Sequence, residues 1–266
     1  MYEPIKPPVA GSTNTPRYRV AACVGQHIGD RREQQDRAGI FTSERAKGCV
    51  LVVVADGMGG RTGGALAAEQ VINSARTLFK DFNPQHDSVI HLLTEIVRES
   101  HTVIRLSAIT SEKEPHSTLV ALVLQPGQAN WAHVGDSRLY YYKREKLSHK
   151  TIDHSYVEQL VKQGRLTRAE AKNHKMSHVL MSALGTKDQP FIDFGETRDL
   201  APEDTFLLCS DGLWAYFRDD EMGEILSSLP PRVASESLIE LARERARGKG
   251  DNCTLAILQL SPPGQT

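Results

Sequence analysis

Three apolar segments of the sequence each end at an aspartate that precedes a small residue. The junctions are Ala55-Asp56-Gly57, Gly135-Asp136-Ser137 and Ser210-Asp211-Gly212, and Asp251-Asn252 stands just before the last apolar segment. Strands of one sheet can bring such sequence-distant carboxylates to a common edge, where they repel one another unless cations neutralise them. Oxygen ligands suit hard divalent ions, so the pattern predicts a site for Mg²⁺ or Mn²⁺.

Each junction alone is also typical of an ordinary turn, because Asp can cap its own backbone and Gly accepts a positive φ. The recurrence favours a metal site over that alternative. The sequence contains no His/Cys set at zinc spacing, and none of these acids fits the calcium loop of an EF-hand.

A run of glycines follows Asp56, and it lets the backbone approach a ligand without hindrance from a Cβ atom. A backbone carbonyl could therefore join the metal ligands. The run lacks the Gly-Lys-Ser/Thr ending of a nucleotide-binding Walker A loop. The glycines are Gly57, Gly59, Gly60, Gly63 and Gly64.

Another aspartate, Asp36, follows Arg31 by five residues. A guanidinium binds a phosphate dianion in bidentate fashion, which a lysine does less well, so Arg31 is a candidate for holding a phosphate group. The alternative is a solvated run of charges, and Arg31 alone does not decide between the two.

The elements that would position these residues can be predicted from apolar periodicity. Short apolar runs indicate β-strands at residues 18–24, 49–55, 119–124, 130–134, 139–142, 205–209 and 253–260. Helical spacing predicts helices over 71–82 and 89–97, and Asn83-Pro84 separates them, so we expect an antiparallel pair laid on a sheet.

Short helices are predicted over 156–164 and 167–173, the second with Thr167 and Glu170 in capping-box positions, and a third, longer helix is predicted over 233–247. The third has a basic end, Arg243 to Lys249. We interpret these cations as complementing the helix dipole rather than as a phosphate or nucleic-acid patch.

Composition favours one large globular domain, with two small domains as the alternative. The chain has 266 residues, 39% hydrophobic and 24% charged, and 32 Lys+Arg against 33 Asp+Glu give a formal net charge of −1. The net charge therefore gives no overall electrostatic attraction to nucleic acid or to an anionic membrane. We expect neither as a partner.

The ends and the cysteines bear on location. We expect a flexible arm at 1–16, a single domain at 17–260 and a tail at 261–266, because the prolines of the arm accompany no apolar signal-peptide core. The four cysteines form no Cys-x-x-Cys pair and lie in or beside apolar runs. This is typical of reduced thiols, so we expect a cytoplasmic protein.

Taken together and in order, these motifs resemble the metal-dependent, type 2C (PPM) family of protein serine/threonine phosphatases, most of all its bacterial members. The resemblance spans residues 31–252 and is carried by Arg31 to Asp36, Asp56-Gly57-Met58-Gly59-Gly60, Ser117-Thr118, Gly135-Asp136-Ser137-Arg138, Asp153-His154-Ser155, Ala183-Leu184-Gly185, Ser210-Asp211-Gly212-Leu213 and Asp251-Asn252. It implies an α+β fold, a four-layer α-β-β-α sandwich of two antiparallel sheets flanked by helices.

The resemblance also implies residue roles. Asp56 would bridge two tightly held Mn²⁺ or Mg²⁺ ions, with the Gly57 carbonyl on one ion and Asp211 and Asp251 on the other. The metals would activate a water for in-line attack on phosphoserine or phosphothreonine, without a covalent phosphoenzyme. Asp36 would hold a metal-bound water, and Asp136 would join Asp211 in binding a third, weaker ion. Arg31 would bind the substrate phosphate, and Gln35 and Asn252 would support the site. The expected catalytic residues are Arg31, Asp36 and Asp56.

Met58 departs from the family pattern, because many eukaryotic members carry there a histidine that is thought to protonate the leaving group. A thioether has no proton to give. A metal-bound water is the simplest substitute, and His27 and His154 are weaker candidates.

Three alternatives stay open on the sequence: a small-molecule phosphohydrolase, a catalytically silent relative that binds a partner, and a regulator answering to a sensor. The main expectation is a monomer that acts on phosphorylated proteins and opposes a serine/threonine kinase. Substrate choice would come chiefly from residues 143–189, which are polar and rich in His and Lys.

Overall fold

The computed structural model describes residues 18–110 and 114–263, without the side chains of 61, 62 and 110. The arm predicted at 1–16 and the last three residues of the predicted tail lie outside this part. Described strands are β1 (Arg19–His27), β2 (Arg37–Thr42), β3 (Val50–Ala55), β4 (Gly57–Met58), β5 (His116–Ser117), β6 (Leu119–Gln125), β7 (Gln128–Val134), β8 (Arg138–Lys143), β9 (Lys146–Lys150), β10 (Asp193–Thr197), β11 (Asp204–Cys209) and β12 (Cys253–Ser261).

Helices cover the two outer faces. They are α1 (Gly60–Asp81), α2 (Val89–Thr110), α3 (Tyr156–Lys162), α4 (Arg168–Lys172), α5 (Asp211–Trp214), α6 (Asp219–Ser228) and α7 (Pro231–Ala246). None of the described helices is both long and apolar enough to cross a membrane.

The strands form two five-stranded antiparallel sheets. The first sheet has the order β1-β12-β11-β8-β9, the second has the order β10-β7-β6-β3-β2, and β4 pairs with β5 separately. Sequential pairs such as β6 and β7 are joined by a tight turn, whereas β3 reaches β6 only after α1 and α2.

Side-chain alternation along the central strands builds four layers. On β3, Val52 and Val54 face the interior between the sheets, while Leu51 and Val53 face α1 and α2. On β12, Ala256 lies between the sheets, and the neighbouring positions pack beneath α7. Burial on both faces explains why these strands are continuous apolar runs. The predicted α-β-β-α sandwich is confirmed.

All seven predicted strands are present, with shifted ends. The capping box is also confirmed, because the Thr167 side chain accepts from the Glu170 N–H while the Glu170 carboxylate accepts from the Thr167 N–H. Three strands of the two sheets were not predicted: β2, β9 and β10. Helices α5 and α6 were also missed, and α1 begins eleven residues before the predicted start, inside the glycine run.

Candidate metal centre

Five aspartates meet at one end of the sandwich. Asp36 precedes β2, Asp56 follows β3, Asp136 follows β7, Asp211 opens α5 after β11, and Asp251 lies before β12. All except Asp36 line an open cavity of about 660 Å³, here called the acidic cavity. Asp36 lies beneath it and is 1% exposed. Both sheets therefore contribute to one site.

Burial and mutual repulsion raise the pKa of four carboxyls, those of Asp36, Asp56, Asp136 and Asp211. Burial is the main cause that raises the pKa of Asp36 to about 7 and that of Asp211 to about 6. The pKa of Asp56 is raised well above its ordinary range, first by burial and then by the charges of the other four aspartates. Burial, followed by the charge of Asp211, likewise raises the pKa of Asp136. Acids crowded in this way favour a bound cation, so the donor set fits hard divalent metals.

Asp56 is held through its backbone by Ser117 at the end of β5 and by Thr118, the residue before β6. Its N–H donates to Thr118 Oγ1 at 3.0 Å, and its carbonyl accepts from the Thr118 N–H at 2.8 Å and from Ser117 Oγ at 3.1 Å. Thr118 Oγ1 lies 2.7 Å from Ser137 Oγ, next to Asp136. Two of the acids are thus tied together by fully buried hydroxyls.

Asp36 is oriented by the residue that precedes Asp211. Ser210 Oγ donates to Asp36 Oδ2 at 2.7 Å, across a contact between the two sheets. Gln34 Oε1 accepts from the Asp36 N–H at 3.0 Å, and Gln26 Nε2 donates to the Asp36 carbonyl at 2.8 Å. The carboxylate therefore has a fixed position under the cavity.

Asn252 organises the loop that carries Arg31. Its Oδ1 accepts from the Gln35 N–H at 2.7 Å, and its Nδ2 donates to the carbonyls of Ile28 at 2.8 Å and Glu33 at 3.0 Å. Gln35 Nε2 in turn donates to the Gly60 carbonyl at 2.9 Å, at the start of α1. Both residues act on backbone groups that surround the site.

Gly57 forms part of the cavity wall, and its backbone passes close to α1. A Cβ atom at Gly57 would lie 2.0 Å from the Gly64 carbonyl oxygen, and one at Gly64 would lie 2.5 Å from the Gly57 oxygen. Two glycines of the run therefore permit a close approach of β4 and α1.

Arg31 reaches the acidic cavity, where its Nη2 donates to Asp251 Oδ2 at 2.5 Å. This hydrogen bond and the charge of Asp251 raise the pKa of the guanidinium above its ordinary value. The Arg31 side chain is 61% exposed, so it is accessible to a ligand. In this arrangement the guanidinium neutralises one of the predicted metal ligands.

A half-buried ion pair supports the Asp136 loop. Arg138 binds Asp153 in bidentate fashion, at 2.7 Å through Nε and 2.8 Å through Nη2, and its guanidinium lies 3.5 Å from the Trp214 ring centroid. Trp214 Nε1 donates to the Asp136 carbonyl at 2.9 Å. Asp136 is thus fixed by α5 and by the segment before α3.

The family model for protein phosphatase 2C matches residues 25–244 of the chain, which is more than half of its length. The chain belongs to the protein phosphatase 2C family. It is 32% identical over 235 residues to the serine/threonine phosphatase stp of Listeria monocytogenes, covering 86% of this chain and 91% of that protein. It is also 32% identical over 241 residues to the protein phosphatase PhpP of Streptococcus pneumoniae, covering 88% and 95%.

Solved phosphatase 2C structures share the fold. One is described as the catalytic domain of serine threonine protein phosphatase PstP in complex with two manganese ions. It superposes with a TM-score of 0.73 at 29% identity, over 92% of this chain and 98% of that chain. The chain is accordingly a protein serine/threonine phosphatase of the bacterial type.

In this phosphatase His27 and His154, the two suggested proton donors, do not line the acidic cavity. His27 Nδ1 accepts from the Gly29 N–H at 2.8 Å. His154 forms two hydrogen bonds with Gly135. The backbone N–H of His154 donates to the Gly135 carbonyl at 2.9 Å, and the ring Nδ1 of His154 accepts from the Gly135 N–H at 3.3 Å. His154 therefore supports the residue before Asp136.

A second group of possible ligands, His133, His154 and Asp193, also lies outside that wall. Because Nδ1 of His154 is an acceptor, the proton of the neutral ring sits on Nε2, which lies 3.3 Å from Asp193 Oδ2. Burial lowers the pKa of His133 to about 4 and also lowers that of His154. Both rings are neutral near pH 7, and the proton on His154 Nε2 opposes metal binding at this group.

The structure brings together the five aspartates that were predicted from the sequence, but several residues that position them were not predicted. Ser210 and Thr118 occur within recognised motifs, so the motif itself was the available signal. Trp214 and His178 had no signal in the sequence, because their place in the site depends on how α5 and the segment after α4 approach the sheets.

Proposed function

We propose that this phosphatase hydrolyses phosphoserine and phosphothreonine in proteins with two Mn²⁺ or Mg²⁺ ions. The observation that carries the proposal is the convergence of five aspartates, from strand ends of both sheets, around one open cavity. Support also comes from the related PstP structure, described with two manganese ions. The ligands would be Asp56, the Gly57 carbonyl, Asp211 and Asp251, with Asp36 and Asp136 beside them.

When bound, such ions would acidify water and withdraw charge from the phosphoryl group. The chain's own residues do the rest. Asp36, held by Ser210, orients the attacking water. Arg31 uses only Nη2 on Asp251 and has further N–H donors for two phosphate oxygens, and its guanidinium is accessible because it is on the cavity wall and largely exposed.

We propose further that Asp136 and Asp211 hold a third, weaker ion, since the charge of Asp211 acts directly on Asp136. The family membership supports phosphoproteins as substrates and an opposing serine/threonine kinase. Four free cysteines, three of them buried, accord with a reducing cytoplasm. A monomer remains our expectation for the assembly.

The test is hydrolysis of a phosphothreonine peptide with Mn²⁺ and with EDTA. We expect EDTA, Asp56→Asn and Asp211→Asn each to lower turnover by about 100-fold or more, because each removes charge stabilisation at the phosphoryl group. Asp81→Asn is the matched control, since Asp81 is a solvent-exposed residue paired only with Arg45 among the described residues.

Equal activity in all samples would refute metal-dependent catalysis. A phosphotyrosine peptide and a panel of sugar phosphates should be assayed in parallel with the phosphothreonine peptide. Faster turnover of the sugar phosphates would identify a small-molecule phosphohydrolase, and no turnover of any substrate would identify a silent binding relative.

A further inference from the structure

The acidic cavity contains a histidine that the mechanism above does not use. All ten histidines of the sequence lie in the described part of the chain. Among them, His178 alone lines this cavity, together with Arg31, Asp56 and Met58. It is therefore the imidazole with access to a phosphate group bound there.

His178 also lines a neighbouring cavity of about 450 Å³, here called the side cavity, which lies between α3, α4 and α5. Asp136 and Asp211 are the other two residues shared by the two walls. His178 thus stands where the phosphate site opens into a space that mixes apolar and charged side chains.

The backbone around His178 is anchored while its ring is free. The Tyr156 N–H donates to the Val179 carbonyl at 2.8 Å, the Met181 N–H donates to the His154 carbonyl at 2.7 Å, and Leu180 forms a bridge with Ser155. The ring itself is exposed and has no hydrogen bond or ion pair to any residue that the structure describes. A fixed backbone with an uncommitted imidazole is suited to contacting a substrate.

We propose that His178 donates the proton to the leaving seryl or threonyl oxygen, a role that rests on the proposed function. Water oxygen forms the new bond to phosphorus as the bond to the alcohol oxygen breaks. The departing oxygen takes the proton from the His178 imidazolium, giving a neutral alcohol and inorganic phosphate, and solvent returns a proton to the ring. Met58 on the same wall cannot perform this step, because a thioether carries no proton.

The experiment compares two substrates with different needs for a proton. A phosphothreonine peptide releases a strongly basic alkoxide unless it is protonated, whereas p-nitrophenyl phosphate releases a stable phenolate. For His178→Gln we expect kcat to fall about 100-fold on the peptide and less than about 3-fold on p-nitrophenyl phosphate. His178→Asn should reproduce this selectivity.

His174→Gln is the matched control. His174 belongs to the same segment but lines neither cavity, and its Nδ1 only accepts from the Met176 N–H at 3.2 Å. Manganese affinity and circular dichroism should be unchanged in all three variants.

Similar losses on both substrates, or none on the peptide, would overturn the role of His178 while leaving the proposed function intact. Wild-type protein inactive on both substrates would refute the proposed function itself. The two failures are therefore distinguishable.

Discussion

At the scale of single residues, the crowded acidic side chains of the site lower the local stability of the fold. Four aspartates with raised pKa values are crowded beside the acidic cavity, and the charge of each disfavours the ionised form of another. Perturbed carboxyls in a cavity are typical of functional sites, where a ligand supplies the missing charge. Neighbouring neutral side chains hold the backbone in place, and Asn252 is the one with the most contacts to the Arg31 loop.

We predict that Asn252→Asp loosens this loop. A carboxylate can still accept from the Gln35 N–H, but it has no N–H for the carbonyls of Ile28 and Glu33 and would place negative charge against them. Because Asn252 is 5% exposed, we expect a loss of about 2–3 kcal/mol in the free energy of unfolding. KM for a phosphopeptide should rise as Arg31 loses its fixed position.

Urea unfolding and steady-state kinetics measure both effects. Asn73→Asp is the control, because within the described part of the chain the Asn73 side chain of α1 serves only as an acceptor, for Arg76, and a carboxylate can replace it there. If Asn252→Asp and Asn73→Asp unfold at the same urea concentration with the same KM, the loop is held by something else.

At the scale of elements, the segment between β9 and α3 clamps the Asp136 loop. Asp153 of this segment binds Arg138 at the start of β8, and the Arg138 guanidinium stacks on Trp214 of α5. Three separate elements thus converge on a single half-buried guanidinium. Asp153 also lies three residues before the start of α3, so the clamp holds the entry to that helix.

We predict that Arg138→Lys weakens the clamp even though it keeps the charge. Lysine cannot form the bidentate pair or the planar stack, so we expect a loss of about 1–3 kcal/mol in the free energy of unfolding. Arg144→Lys provides the control. Arg144 pairs with Glu203 at 2.8 Å, but the two side chains are 72% and 56% exposed, so less than about 0.5 kcal/mol should be lost.

Urea unfolding of both variants separates these cases. If Arg138→Lys lowers the free energy of unfolding no more than Arg144→Lys does, the ion pair of Arg138 with Asp153 does not stabilise the Asp136 loop.

The elements that could be predicted from sequence are those whose pattern reflects burial. Strands β3, β6 and β12 are buried on both faces, so their apolar runs are unmistakable. Strands β9 and β10 lie at sheet edges, and their sequences Lys-Leu-Ser-His-Lys and Asp-Phe-Gly-Glu-Thr are largely exposed and polar. Nothing in such segments favours a strand until a neighbour provides the hydrogen bonds.

The residues of the candidate site likewise fall into those that could be predicted from the sequence and those that could not. Aspartates at strand ends could be found because the chemistry requires an acid after an apolar run. The places of Trp214 and His178 could not, since a tryptophan in a short helix and a histidine in a loop acquire their positions only when α5 and the segment after α4 pack beside the sheets.

At the scale of the whole molecule, the site exists only when the two sheets are packed together. Asp56 and Asp136 follow strands of the second sheet, whereas Asp211 and Asp251 flank strands of the first. Buried valines, leucines and aromatic residues between the sheets supply the apolar contact that brings them together. A ligand that binds this assembled cluster and not the unfolded chain must stabilise the fold.

Because four carboxyls have raised pKa values, the stability of the metal-free protein should depend on pH. Asp36 has a pKa of about 7 in the folded protein against an ordinary value of 3.8, so the folded state retains a proton that the unfolded state has lost. Its contribution is fully present below the unfolded value and disappears as pH rises through 7. His133 and His154 act in the opposite sense, but only below about pH 6.5.

We therefore predict that Tm in EDTA falls between about pH 6.5 and 8.5. The drop should be about 2–4 °C, since a loss of about 1 kcal/mol of stability lowers Tm by that amount in a domain of this size. Asp36→Asn should reduce the dependence because its amide does not ionise, while Asp56, Asp136 and Asp211 keep part of it. Mn²⁺ should raise Tm most strongly at the alkaline end, where the carboxyls are deprotonated. Thermal unfolding followed by circular dichroism measures this, and a metal-free Tm that rises over the same interval would contradict the buried, mutually repelling aspartates as the source of the pH dependence.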